Sequence, residues 1–348
     1  MDNADQQTAL QPPPTPLPDW LRALYPFTPR SFVTPRGARM SYVDEAPATA
    51  APDIPHSALR TPHSSEAVLL LHGNPTWSFY YRELIPALVA RGHRCIAPDH
   101  IGMGLSEKPE DYPYTLAARI DDIAALVRSL GLARVHLVVH DWGGAIGCGL
   151  VTLHPDLAGR FVILNTAAFH LPRIPRRIAL CKTAFPGTLL VRGFNAFAWP
   201  ATWMSMHRRK LTPDEKRGFL FPYDSWAHRV AVNAFVKDIP LTSAHPTWRT
   251  LETTGAGIGR FTPREPASTS FASGAPADPG LDSPPAPPPH PALILWGGRD
   301  FCFNDDFYDE WKQRWPHAEA HYLADAGHYV LADAADEVIP RIADFLSK

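Results

Sequence analysis

A chain of 348 residues, 45% hydrophobic and 20% charged, suits one large α/β domain with an insertion or two smaller domains. A formal net charge of -2 gives no general attraction to nucleic acid or to an anionic membrane. The four cysteines form no C-x-x-C pair and no apolar run is long enough to cross a membrane, so buried reduced thiols and no membrane span are expected.

The chain opens on "MDNADQQTALQPPPTPLP", which lacks the basic and apolar regions of a secretion signal. A cytoplasmic location is therefore the default expectation. Residues 1–30 read as a disordered Pro-rich leader. Two further Pro-rich stretches, 46–65 and 255–291, read as surface loops, because they lack the apolar periodicity of a packed element. Between them strand and helix alternate. "AVLLLH" (67–72) is an apolar strand, 78–92 has helical spacing, and 93–99 is a strand. A capped amphipathic helix over 115–131 leads to the strand 134–140, a glycine-rich helix over 143–155 and the strand 160–165. After a long interval come a strand at 291–297, a helix at 305–315, a strand at 318–323 and a terminal helix near 335–346. Strands apolar on both faces, alternating with helices, indicate a mostly parallel sheet covered on both sides. Residues 31–168 and 250–348 form this core. Residues 169–249 break the rhythm and read as a helical cap over a pocket.

One turn carries the chemistry. In "LVVHDWGG" (137–144), Asp141 stands between a strand and a helix, with Gly143 two residues on. This is the x-x-Nu-x-G pattern of a nucleophile elbow, where small residues let strand and helix backbones approach. The bland alternative is an aspartate capping the helix. Two other strand ends add to the pattern. "LLLHGNPTW" (69–77) places a His-Gly turn where a second oxyanion N–H is needed. "DAGHYVL" (325–331) places His328 before the last helix. Asp300, in "LILWGGRDF" (293–301), lies between nucleophile and histidine in chain order. Asp305 and Asp306 compete with it, but they read as the first turn of the next helix.

"HGNPTWSFYYR", "PDHIGMGLSEKP", "VHDWGG", "WGGRDF" and "AGHYVL" resemble the haloalkane dehalogenase group of α/β-hydrolases, from residue 30 to the end apart from the two later Pro-rich stretches. The resemblance implies an α/β-hydrolase fold, Asp141 as nucleophile, His328 as base and Asp300 as the triad acid. It also implies that Asn74 and Trp142 hold the leaving group. "LNTAAF" (164–169), "PYDSW" (222–226) and "DIPL" (238–241) further resemble the branch that contains the β-lactone decarboxylases of long-chain olefin biosynthesis. Such chemistry suits a carboxylate, which can displace a leaving group from an sp3 carbon. Indole and amide N–H donors would hold the departing anion, and His328 would activate a water against the ester.

Dehalogenation is the leading expectation and β-lactone decarboxylation stands close to it. An epoxide hydrolase with Tyr223 as acid, and a non-catalytic small-molecule receptor, come behind. The substrate is expected to be small and hydrophobic, with no cofactor and no metal; docking into a multi-enzyme assembly follows only if the olefin pathway applies. His317 and His321 lack the context of a metal-binding helix, and "GAGIG" (255–259) lacks that of a dinucleotide loop. His140 reads as structural. Arg208, Arg209 and Lys210 read as a solvated face. Phe169, Trp203, Tyr223 and Trp226 are the pocket candidates, among cap aromatics that also include Phe194, Phe197 and Trp199.

Overall fold

The computed structural model describes residues 17–47, 65–170, 174–262 and 290–348. Eight strands form one sheet: β1 (Arg30–Val33), β2 (Arg39–Glu45), β3 (Glu66–Leu71), β4 (Cys95–Pro98), β5 (Arg134–Asp141), β6 (Ala158–Thr166), β7 (Ala292–Gly297) and β8 (Glu319–Leu323). Their order is β1-β2-β4-β3-β5-β6-β7-β8. β2 runs antiparallel to β1 and β4, and the other pairs are parallel. The central strands are apolar throughout because both faces are covered. Leu69, Leu71, Leu137, Val139 and Ile294 point into one core; Val68, Leu70, Val138, Leu293 and Leu295 point into the other.

The helices are α1 (Asp19–Leu24), α2 (Leu84–Val89), α3 (Leu116–Ser129), α4 (Trp142–Leu153), α5 (Arg176–Lys182), α6 (Ala198–Met204), α7 (Pro213–Leu220), α8 (Val230–Lys237), α9 (Trp248–Gly257), α10 (Asp305–Arg314), α11 (Val330–Asp333) and α12 (Ala335–Leu346). The helices α5 to α8 lie between β6 and β7 in the chain, with a π-helical turn at Leu189–Gly193. α7 begins at a capping box: Thr212 accepts from the Glu215 N–H, and the Glu215 side chain accepts from the Thr212 N–H.

Three expectations need correction. Residues 17–30 are folded, not part of a disordered leader; the rest of that leader, 1–16, lies outside the described residues. Leu21 and Tyr25 are buried, and Tyr25 shares a 2.6 Å hydrogen bond with Ser78. The proline density hid an apolar set, Trp20, Leu21, Leu24, Tyr25 and Phe27, large enough to anchor the segment against the core. The stretch 78–92 is not one helix but a 3-10 turn, Ser78–Tyr81, followed by α2. Pro86 cannot donate to residue 82 and its ring opposes that carbonyl, so a helix cannot run through. Finally, 255–262 continues α9 into the 3-10 turn Ile258–Phe261. Ile258 and Phe261 are buried there, which the Gly and Pro content of the wider stretch concealed. The remainder of the two later Pro-rich stretches, 48–64 and 263–289, lies outside the described residues.

Candidate active site

Asp141 is the last residue of β5 and the N-terminal boundary of α4, with φ +52° and ψ -125°. A side chain other than glycine rarely sits at positive φ. The turn holds because its neighbours are small. A Cβ on Gly143 would lie 1.9 Å from the Leu71 carbonyl oxygen, and a Cβ on Gly73 would lie 2.0 Å from Asp141 Oδ1. Asp141 makes no side-chain cap to α4, so the capping alternative fails. Its carboxylate points into the loop after β3. There the Asn74 N–H donates to Oδ1 at 2.6 Å, and the Trp142 N–H lies close enough to favour the charged carboxylate. Thr166 donates to the Asp141 carbonyl oxygen and fixes the turn from β6. Burial pushes the Asp141 pKa up to about 6, against the opposing pull of His328 and the two N–H groups. At neutral pH the group is a carboxylate, with Oδ1 tied and Oδ2 free to react.

His328 approaches from the loop after β8. Its Nε2 lies 3.8 Å from Asp141 Oδ2, and its Nδ1 lies 2.6 Å from Asp300 Oδ2. Nδ1 therefore carries the proton and Nε2 faces the Asp141 carboxylate. Burial would lower the imidazole pKa; Asp300, with a smaller contribution from Asp141, outweighs it and the net shift is upward. Asp300 is fully satisfied. Oδ1 accepts from the N–H groups of Cys302 and Phe303 at 2.6 and 3.0 Å, and Oδ2 also accepts from Asn165 Nδ2 at 3.0 Å. The structure thus brings Asp141, His328 and Asp300 together at the carboxyl edge of the sheet. Asp305 and Asp306 fall in the first turn of α10 instead.

Asn74 and Trp142 line the cavity beside Asp141. One Asn74 side-chain N–H is spent on the Val232 carbonyl at 3.1 Å, which orients the amide and leaves its second N–H available. Among the described residues no group accepts from the Trp142 indole. Trp142 packs edge-on to Phe235, and the buried Arg119 lies over both rings. Arg119 in turn pairs with Asp238 at 2.7 Å.

The cap contributes apolar wall. The cavity, about 120 Å3, is lined by Phe169, Ile174, Phe197 and Leu241, with Phe303 and Phe307 from the core. Of the four pocket candidates only Phe169 reaches it. Tyr223 is buried elsewhere; its hydroxyl donates to the Thr76 carbonyl at 3.3 Å. Trp203 and Trp226 are 45% and 47% exposed on the outer cap surface. They belong to short helical segments whose inward positions are taken by smaller or other residues, such as Pro200 and Met204 in α6. The Arg208–Lys210 run is also not a simply solvated face. Asp333 accepts the N–H groups of His207, Arg208 and Arg209, and that of Gly327 beside His328. Arg209 and Arg82 both pair with Glu215.

Three supporting residues escaped the sequence reading, and a fourth, His140, has the structural role expected of it. Asn165 donates to Asp300 and exchanges two hydrogen bonds with Gly297. Its position at the end of β6 was the available signal. Asp333 ties the cap to the His328 loop. Arg119 backs Trp142, with no sequence cue beyond being a charge on the buried side of α3. His140 was read only as structural; its buried ring hydrogen-bonds the His328 carbonyl at 2.9 Å and lies 4.5 Å from the His328 ring. His317 and His321 bond to the His290 carbonyl and to Glu319.

An aspartate elbow, a His–Asp pair behind it and an inserted cap on an eight-stranded sheet define an α/β-hydrolase, and residues 66–335 match the alpha/beta hydrolase fold family. The chain belongs to that family. It is 38% identical over 334 residues to a cis-3-alkyl-4-alkyloxetan-2-one decarboxylase of Shewanella oneidensis, covering 94% of this chain and 91% of the relative. It is 30% identical over 234 residues to a haloalkane dehalogenase of Mycobacterium marinum, covering 64% and 69%. The crystal structure of haloalkane dehalogenase DbeA from Bradyrhizobium elkani superposes with a TM-score of 0.73 at 21% identity, covering 92% of this chain and 98% of that one. No helix among the described residues is long and apolar enough to cross a membrane.

Proposed function

We propose that this protein decarboxylates cis-3,4-dialkyl-β-lactones to alkenes, with Asp141 as nucleophile. The carrying observation is the near full-length similarity to a named oxetanone decarboxylase, against a shorter and weaker match to a dehalogenase. This reverses the order of the two readings that sequence motifs alone suggest, because both activities share the motifs around Asn74, Asp141, Asp300 and His328.

The site supports the chemistry as follows. Asp141 Oδ2 attacks ring carbon C4, and the C4–O bond breaks with its electron pair going to the ring oxygen. The product is an alkyl ester on Asp141 and a free carboxylate on C3. Asn74 and Trp142 N–H groups stabilise that anion in an apolar cavity, where each donor counts for more than in water. The C3–carboxylate bond then breaks, its pair forms the double bond, and the C4–Oδ2 pair returns to Asp141. CO2 and an alkene leave, and no water is consumed.

Haloalkane hydrolysis is the second reading, favoured by one observation. The His328–Asp300 pair behind Asp141 is what ester hydrolysis needs, whereas decarboxylation closes the cycle without a base. The test is a cis-β-lactone assay run beside bromide release from 1,2-dibromoethane. Alkene without appreciable bromide supports the decarboxylase; bromide without alkene overturns it.

A further inference from the structure

Two cavity branches adjoin Asp141. One, about 120 Å3, passes Phe169, Ile174, Leu241 and Leu251. A second, about 70 Å3, passes Ala196, Pro200 and Met204. Asn74, Asp141, Ile178, Phe197 and Cys302 line both, so the two branches adjoin at the Asp141 carboxylate. Trp142 lines only the first branch and His328 only the second.

We infer that the two branches receive the two alkyl arms of one substrate: the arm on C3 in the first, the arm on C4 in the second. The assignment rests on the decarboxylase reading above. In a cis-β-lactone the arms spring from adjacent ring carbons, one of which must touch Asp141 Oδ2. They therefore diverge beside the residues that both branches share. A substrate with one chain on a terminal reacting carbon has use for only one branch. The direction follows from the leaving group. C3 carries both its arm and the departing carboxylate, and the indole donor stands in the wall of the first branch alone. C4 stays on Asp141, and its arm takes the side that faces His328. Leu241 and Ala196 would then set the tolerated length of one arm each.

The experiment uses two cis lactones that exchange arms, 3-octyl-4-methyl and 3-methyl-4-octyl, with wild type, Leu241→Trp and Ala196→Phe. The readout is the ratio of alkene kcat/KM for the two isomers. Each ratio comes from one preparation, so partial misfolding cancels. Leu241→Trp lowers the 3-octyl to 4-octyl ratio by about tenfold or more, and Ala196→Phe raises it similarly, as expected when a filled pocket rejects a chain. Ratios that stay at the wild-type value, or move the same way in both variants, overturn the two-branch assignment. Opposite shifts of reversed sense overturn the C3 and C4 placement. No alkene from wild type with either isomer removes the decarboxylase reading, and this assignment with it.

Discussion

Asp300 and Phe197 show how differently the two halves of this site are built. Asp300 sits past a core strand with four donors on its two oxygens. Phe197 sits in the cap, half-buried in the wall of both cavity branches, held by packing alone. A buried carboxylate must be satisfied in full, because an unpaired one is costly. An apolar wall residue has no such demand and can change shape with the substrate. Under the proposed function, reaction type resides in the strand ends, and substrate choice in the cap and the loop after Asp300.

Substitutions grade this contrast, and after Asp141 itself the largest effect, on hydrolysis of an alkylated Asp141, belongs to His328. His328→Ala leaves Asp141 able to be alkylated but unable to be hydrolysed, so 1,2-dibromoethane gives a persistent adduct by intact-protein mass spectrometry. Absence of any adduct, on a folded variant whose wild type reacts, breaks the assigned roles. Trp142→Phe keeps the ring and removes its N–H, and costs about 10²-fold in kcat, the usual scale for one lost anion donor. Asp141 ionises near pH 6, and only its carboxylate attacks. Single-turnover alkylation therefore falls about tenfold per pH unit once pH drops below about 6. A rate flat to pH 4 would contradict the burial-raised value. Asn165→Ala frees Asp300 to turn and weakens its hold on His328. The His328 pKa then falls, so, under the second reading, the acid limb of haloalkane hydrolysis moves to lower pH as its rate drops about tenfold. A lower rate with an unmoved limb would reduce Asn165 to a purely structural part. Smallest are the cap residues off the cavity. Tyr223→Phe and Trp203→Ala change alkene kcat/KM by less than about threefold, since neither lines the site. A large loss in Tyr223→Phe would revive an acid role for that hydroxyl.

The sequence carried the strand-end residues well and the cap poorly, for physical reasons. An elbow needs glycine where backbones nearly touch, so Gly143 advertises Asp141; the motif's form is dictated by sterics. Asp300 and His328 were legible because parallel sheets place such residues after strands in a fixed chain order. Cap aromatics carry no comparable sign. Trp203 and Trp226 have the composition of a pocket wall, but one residue of phase in the seven-residue α6 puts Trp203 in solvent, Trp226 stands in a turn, and short segments give little periodicity to read. Asn165 and Asp333 act through other residues, so neither sits in a pattern of its own. The folded segment at 17–30 was hidden by neighbouring prolines, although Trp20, Leu21 and Tyr25 were in plain view.

The bond between Asp141 and a substrate carbon is tested most directly in Asp141→Asn. The variant is prepared fresh, its mass is checked to exclude reversion to aspartate, and alkene formation from a cis-3,4-dialkyl-β-lactone is followed beside wild type. A fall of about 10⁴-fold or more in a folded protein is the expected result. Alkene released at the wild-type rate by a verified asparagine would contradict it.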